Sequence, residues 1–192
     1  IIEHYSGQNN LEPLIENSQE VAIALMNAGI RLIFTGHYHA NDIVQFMNNG
    51  KTLTDIETGS LVTPLSSYRI MTLDDNFIKI GTKRITGVDV ELPEGMDFLT
   101  YSDITITNRL NNLFTYILRF KFGIPKADAI ALAPLVTKAF KAYFAGDEKL
   151  DPAERKKIDE VAQGPYPFVA TILLNVWTDL PTEDNKTHIK IK

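Results

Sequence analysis

Two histidines, His37 and His39, stand on either side of Tyr38, directly after Gly36. Neutral imidazole is the commonest side-chain ligand for zinc, manganese and iron. In an extended loop, residues two apart project to the same side, so we expect both rings to reach one site. A catalytic metal needs further protein donors, and a two-metal site also needs bridging carboxylates. The pair therefore predicts part of a metal centre, and the alternative is that both are ordinary surface residues.

The residues just before the pair must position it. Residues 32–34 are consecutive bulky apolar side chains, too few for a helix, and they predict a short buried strand over residues 31–35. Gly36 can take a positive φ there or let a ligand approach the backbone. In open α/β sheets, ligands bind at the carboxyl ends of strands, so this loop is the predicted site.

The stretch from Gly36 to His39 resembles the last signature, Gly-His-x-His, of the calcineurin-like metallophosphoesterases. Residues 57–61 (ETGSL) and 68–73 (YRIMTL) are similar to that family's closing strands, so the resemblance covers roughly residues 1–86. It implies an α/β fold, a four-layer α/β/β/α sandwich, with two divalent ions (Mn, Fe or Zn) that cleave a small phosphate-ester substrate. By motif position, His37 would ligate one metal and His39 the other.

The family's earlier signatures are an Asp-x-His, a Gly-Asp, a Gly-Asn-His and a further histidine, and the first three do not occur before Gly36 in this sequence. His4 is a weak candidate for that further histidine, although residues 1–5 look more like the sequence that follows it. The resemblance therefore implies the carboxyl-terminal portion of a longer enzyme, whose amino-terminal part supplies the other ligands. Alone, the chain is expected to be inactive or very weak and can lack bound metal.

Three more residues are candidates for supporting roles. Asn41 and Asp42 follow the histidines closely enough to orient one of them by a hydrogen bond, or they cap the loop. Arg69 alternates with the apolar Ile70, which favours the solvent-facing side of a strand over phosphate binding.

The surrounding sequence predicts a layered α/β unit. Asn17 with Glu20 at the third helical position predicts a capped helix that ends at Gly29. Residues 48–50 and 74–76 have turn-forming composition, and they lie before the first and between the last two of the predicted strands. Strands are predicted over residues 51–57, 67–73 and 77–84, and residues 43–47 form either a helical turn or an edge segment.

From residue 87 the pattern becomes helical, which divides the chain into residues 1–86 and an α-helical carboxyl-terminal extension over residues 87–192. A linker at residues 92–95 precedes about four helices, and Pro134 is expected to kink or split the second. The tail is a frayed end or a short edge strand, with His188 a remote ligand candidate. The predicted helix starts are Ser102 or Asp103, Pro125, Asp151-Pro152 and Pro167.

These helices contain no spacing of His, Glu and Asp that resembles a metal site. The extension is therefore predicted to be an interaction module that packs on the phosphoesterase part or joins two copies in a homo-oligomer. A net charge of -5 argues against a nonspecific nucleic-acid binder. No apolar run reaches the roughly 20 residues that span a bilayer. The absence of cysteine excludes thiolate metal sites, and no compartment is predicted.

Two other functions fit the same residues. The chain could be a noncatalytic helical interaction module attached to a degenerate α/β domain, in which case the histidines are structural. It could also be a mononuclear zinc hydrolase that uses His37, His39 and either Asp42 or Glu57 as the third ligand. Metal binding separates the first of these from the phosphoesterase.

Overall fold

The computed structural model describes residues 15–63, 65–146 and 148–190, and it is a mixed α/β structure with two small sheets and five α-helices. In chain order the elements are α1 (Ser18–Asn27), β1 (Leu32–Thr35), β2 (Ile43–Asn48), β3 (Lys51–Glu57), β4 (Ser67–Leu73), β5 (Phe77–Arg84), a short 3-10 helix (Pro93–Gly95), α2 (Phe98–Phe120), α3 (Lys126–Ala145), α4 (Pro152–Ala162), α5 (Pro167–Val176) and β6 (Lys186–Lys190). None of the described helices is long and apolar enough to cross a membrane.

The first sheet has the strand order β1-β3-β2, with β1 parallel and β2 antiparallel to the central β3. The predicted turn between β2 and β3 is confirmed, since Asn49 and Gly50 both have positive φ, at 48° and 71°. Such a pair of left-handed residues makes the turn that suits a two-residue hairpin. Residues 43–47 belong to an edge strand, as one of the two predictions had it.

The second sheet has the order β4-β5-β6, and all its neighbours are antiparallel. The predicted turn between β4 and β5 is confirmed, because the Asp74 carboxylate accepts the backbone N–H groups of Asn76 and Phe77. The tail forms the edge strand β6 beside β5. The extension over residues 87–192 is therefore not helical throughout, since its last strand returns to the second sheet.

Two apolar clusters hold these layers together. Ala22 and Met26 of α1 pack on Leu53, which covers one face of the first sheet. On its other face, the buried Ile56 meets Ile80 of the second sheet. Contacts thus run from α1 through the first sheet to the second.

A third, larger cluster fills the helical region. It buries apolar side chains from α2, α3, α4 and α5 together with Ala40 of the histidine loop. Asp151 caps α4 as predicted, with its carboxylate accepting the Ala153 and Glu154 N–H groups at 2.9 Å. The helix α2 begins earlier than predicted, at Phe98, because Asp97 accepts the Thr100 N–H at 3.0 Å and supplies the cap.

Two local predictions were wrong, and for a third, at Pro134, one of two alternatives is excluded. Asn17 has a left-handed backbone, at φ 56°, and makes no side-chain cap, so α1 has no capping box. Pro125 is the residue before α3 rather than its first residue. Pro134 does not split α3, which runs through it. Proline has no N–H, so Pro134 cannot donate a helical hydrogen bond to the carbonyl of Ile130. Both residues are exposed, so water can donate to that carbonyl instead.

The strand β1 is also less buried than predicted. It lies at the edge of its sheet, and Phe34 is 55% exposed. Leu32, on the same face two residues earlier, packs beside the isoleucine cluster, but that cluster does not extend to Phe34. Edge position, which no local pattern reveals, explains the difference.

Candidate functional site

The histidine loop, residues 36–42, leaves the carboxyl end of β1 and leads into β2. Thr35, the last residue of β1, is in register with Glu57, the last residue of β3. The segment after Glu57 therefore starts at the same edge of the sheet. A Cβ added at Gly59 would lie 3.5 Å from the His39 carbonyl oxygen, so the two loops are packed against each other.

Both histidines have left-handed backbone conformations, with φ of 100° at His37 and 66° at His39. Of the two roles that the sequence left open for Gly36, a positive φ is excluded, because Gly36 does not have one. Among the described residues, no atom lies within 4 Å of the position that a Cβ would take at Gly36, so its backbone is open to approach. Left-handed φ in non-glycine residues costs about 1–3 kcal/mol and clusters at functional sites. The loop is thus not extended as the spacing argument assumed.

The two imidazoles nonetheless reach one space. His37 is exposed and His39 is half-buried, and both line a cavity of about 350 Å³ between the loop and the helices. The His39 ring lies 6.5 Å from the Phe144 ring, measured between centroids. Both residues thus lie beside one cavity, and convergence of their rings on one metal site stays a prediction.

The loop is held in place by Tyr38 and Glu57. The buried Glu57 carboxylate accepts the Tyr38 backbone N–H at 3.0 Å. The Tyr38 ring meets Tyr143 of α3 edge-on, with centroids 6.2 Å apart. Glu57 therefore fixes the backbone between the two histidines, and Tyr38 anchors the loop on the helical core.

Asn41 and Asp42 are both buried and join the loop to the rest of the sheet region. The Asn41 amide donates to Asn185 at 3.1 Å and to Thr82 at 3.3 Å, so these bonds tie the loop to β5 and to the segment before β6. Asp42 exchanges backbone hydrogen bonds with Glu57 at 3.0 and 3.2 Å. These contacts favour the loop-fixing interpretation over orientation of a histidine.

Arg69 does not lie on a solvated face as predicted. Its guanidinium donates to the carbonyl oxygens of Glu57 at 2.7 Å and Asp184 at 2.5 Å, and more weakly to that of Asp42 at 3.4 Å. The neighbour Ile70 is 49% exposed instead. Arg69 therefore links β4 to the histidine-loop edge of the first sheet, and these bonds occupy the donors that a phosphate would need.

The donor set of the loop fits only part of a metal centre. His37 and His39 offer imidazole nitrogens that suit Mn, Fe or Zn. Within the described residues, however, no third His, Asp or Glu completes a group around them with ligand atoms within 4.8 Å of one another. The mononuclear site with Asp42 or Glu57 is therefore not assembled in this structure. The remaining weak candidates add nothing, since His4 lies outside the described residues and His188 is exposed on β6.

The sequence analysis missed an acidic group that lies near Asp42. Glu148, Asp179 and Asp184 bring carboxylate oxygens within 4.8 Å of one another. Burial raises the pKa of Glu148 to about 9, and the charges of Asp42, Asp184 and Asp179 contribute in the same direction. Asp184 is also structural, because its carboxylate accepts the Ile43 backbone N–H at 2.9 Å.

The reason for missing this group is its origin in separate loops. Glu148 follows α3, whereas Asp179 and Asp184 lie between α5 and β6. The sequence analysis considered acidic residues only where they recur at helical spacing, and none of these three residues lies in a helix. The only sequence signal was the polar, turn-rich run over residues 178–187.

Comparison with known proteins adds no identification: no protein-family model matches the chain, and no curated protein matches it.

Proposed function

We propose that this chain is the carboxyl-terminal portion of a metal-dependent phosphoesterase of the calcineurin-like kind. The observation that carries the proposal is the pair His37 and His39, two imidazoles with left-handed backbone on one loop at a strand's carboxyl end, lining one cavity. The open backbone at Gly36 and the fixed backbone at Tyr38 support it, because a site needs both access and rigid ligands.

The layer order supports the same proposal. Contacts run from α1 to the first sheet and on to the second, as part of an α/β/β/α sandwich requires. The edge of β1 beyond β3 and the exposed Phe34 offer a place where further strands would pair and cover apolar surface. We propose that the segment carrying the missing carboxylate ligands docks there.

In that assembly, His37 and His39 would each hold one divalent ion of a binuclear centre. Such a centre lowers the pKa of a bound water and neutralises charge on a phosphate ester. What this chain contributes is ligand placement: Glu57 and Tyr38 fix the loop, while Asn41 and Arg69 hold it on the two sheets.

The test uses two histidine variants of the chain extended upstream to include an Asp-x-His, Gly-Asp and Gly-Asn-His segment. His37→Ala should abolish hydrolysis of bis(p-nitrophenyl) phosphate and lower the metal content measured by elemental analysis. His188→Ala is the matched control, because His188 is an exposed histidine on β6, and it should change neither. Full activity in His37→Ala would refute the proposal.

A noncatalytic interaction module is the second candidate. It is favoured by the absence of a completed ligand group around the histidines among the described residues. If the extended protein binds no metal and hydrolyses no phosphate ester, the module is the better description, and the helical region becomes the place to look for function.

A further inference from the structure

The cavity beside the histidine loop combines apolar walls with a few polar side chains. Its walls are apolar side chains of α2, α3 and α5, including Phe114, Phe140 and Ile172. Among the described residues that line it, polar side chains come only from residues 37–39 and from Lys121. A space of this kind suits a ligand with a hydrocarbon part and an anionic head.

The histidines are continuous with the apolar walls. The His39 ring is 6.5 Å from that of Phe144, which lines the cavity. A ligand atom leaving the histidines therefore passes directly onto aromatic surface.

We propose that the cavity binds the hydrophobic alcohol part of the substrate, so that the substrate is a phosphate ester of a lipid-like or long-chain alcohol. This inference rests on the proposed function, since it places the phosphate at His37 and His39. A cavity of about 150 Å³ lined by Leu, Ile and Phe already binds benzene in another protein. At about 350 Å³, this cavity accommodates a hydrocarbon of about ten carbons.

The first experiment measures binding, without any need for turnover. Isothermal titration of the 192-residue chain compares decyl phosphate, kept below its micelle-forming concentration, with ethyl phosphate. The two probes share a headgroup and differ only in hydrocarbon. We expect decyl phosphate to bind at least 100-fold more tightly, because burial of only three or four of its eight extra methylenes already gives about that factor. Equal affinities would overturn the proposal.

A pair of α2 variants locates the binding site. Leu113 lines the cavity and is 49% exposed, whereas Ile104 on the same helix does not line it and is 45% exposed. Leu113→Asp should weaken decyl phosphate binding at least tenfold and leave ethyl phosphate unchanged, and Ile104→Asp should change neither. Equal effects of the two variants would show that decyl phosphate binds elsewhere. Both side chains are half exposed, so both variants should fold, which circular dichroism checks.

A second copy of the chain is the competing occupant of the apolar walls. Sedimentation of the wild-type chain and Leu113→Asp tests this directly. A dimer that Leu113→Asp dissociates, together with no chain-length preference in titration, would assign the cavity to self-association and overturn the substrate proposal.

Turnover separates this inference from the proposed function. The upstream-extended protein is given decyl and ethyl esters of p-nitrophenyl phosphate, and we expect a kcat/KM at least tenfold higher for the decyl ester. If both are hydrolysed equally, the phosphoesterase proposal stands and the substrate class is wrong. If decyl phosphate binds with the expected preference but neither ester is hydrolysed, the cavity is a binding site for alkyl phosphates and the phosphoesterase proposal fails.

Discussion

The sheet region buries many more polar side chains than the helical region does. The helical interior is a continuous apolar cluster, in which Leu173 and Ala129 are fully buried. The interior around the histidine loop is instead rich in polar groups, including Asn41, Asp55 and Glu57. Several apolar side chains of the sheets, such as Leu73 at 68% exposed, lie on the surface.

This contrast shows how each region is specified. Apolar packing is non-directional, so the helices need only complementary volume to assemble. A buried polar group needs a hydrogen-bond partner with the correct geometry, so in the sheet region individual hydrogen bonds fix the conformation of the histidine loop. The histidine loop lies where the two regions meet, with Ala40 in the helical core and Asn41 in the polar interior.

The largest effect should come from the helical core. Leu173→Ala removes a fully buried side chain from α5 and should lower the free energy of unfolding by about 4 kcal/mol, through lost burial and a residual cavity. Urea unfolding followed by far-ultraviolet circular dichroism measures it. The control Ile130→Ala, at a 52% exposed position on α3, should stay within about 0.5 kcal/mol of wild type. A loss below about 1 kcal/mol at Leu173 would contradict the close packing described here.

The next effect tests the polar interior. Arg69→Met keeps much of the side-chain volume but leaves the Glu57 and Asp184 carbonyls without their charged donor, so stability should fall by about 3 kcal/mol. Lys83→Met, at an exposed position on β5, is the control and should be nearly neutral. If Arg69→Met is also neutral in urea unfolding, the sheets are held by the isoleucine cluster and not by this arginine.

A pH dependence should distinguish the two regions further. The folded Glu148 keeps its proton up to a pKa of about 9, whereas an unfolded glutamate loses it near 4.5. Since the native state binds the extra proton between these values, stability is greatest below about pH 4.5 for this group and falls as the pH rises toward 9. These two pKa values correspond to about 4 kcal/mol between pH 5 and pH 8.5. Because Glu148 is only half-buried and solvent screens its charge, we expect the wild type to lose about 2 kcal/mol relative to Glu148→Gln.

Urea unfolding at these two pH values measures that difference. The exposed Glu160→Gln is the matched control and should follow the wild-type profile. Parallel profiles for wild type and Glu148→Gln would mean that Glu148 titrates as an ordinary surface carboxyl.

The smallest predicted effect is a gain in stability. Glycine adopts a φ of 100° without steric cost, so His37→Gly should relieve backbone strain and stabilise the chain by about 1 kcal/mol. The same variant should remove hydrolysis in the upstream-extended protein. His188→Gly, within β6, should instead destabilise slightly. A destabilised His37→Gly would show that the imidazole packs favourably and that the loop is not strained.

The sequence predicted the local elements of the sheets closely. Strands β3, β4 and β5 have the predicted bounds, because tight turns such as residues 48–50 and 74–76 are encoded by adjacent Asn, Asp and Gly. The Asp151 cap was equally local. Predictions that depended on position in the sheet or on solvent exposure, as for the burial of β1 and the effect of Pro134 on α3, were less accurate.

What the sequence determined by itself was the kind of element at each position and the placement of His37 and His39 after a strand. Tertiary structure alone decided that Arg69 turns inward, that Glu148 meets Asp184, and that the histidines share a cavity with α2. Secondary structure follows from interactions within a few residues, which a sequence displays directly. Each of the other outcomes joins segments far apart in the chain, and burial and pairing there depend on how the sheets and helices pack.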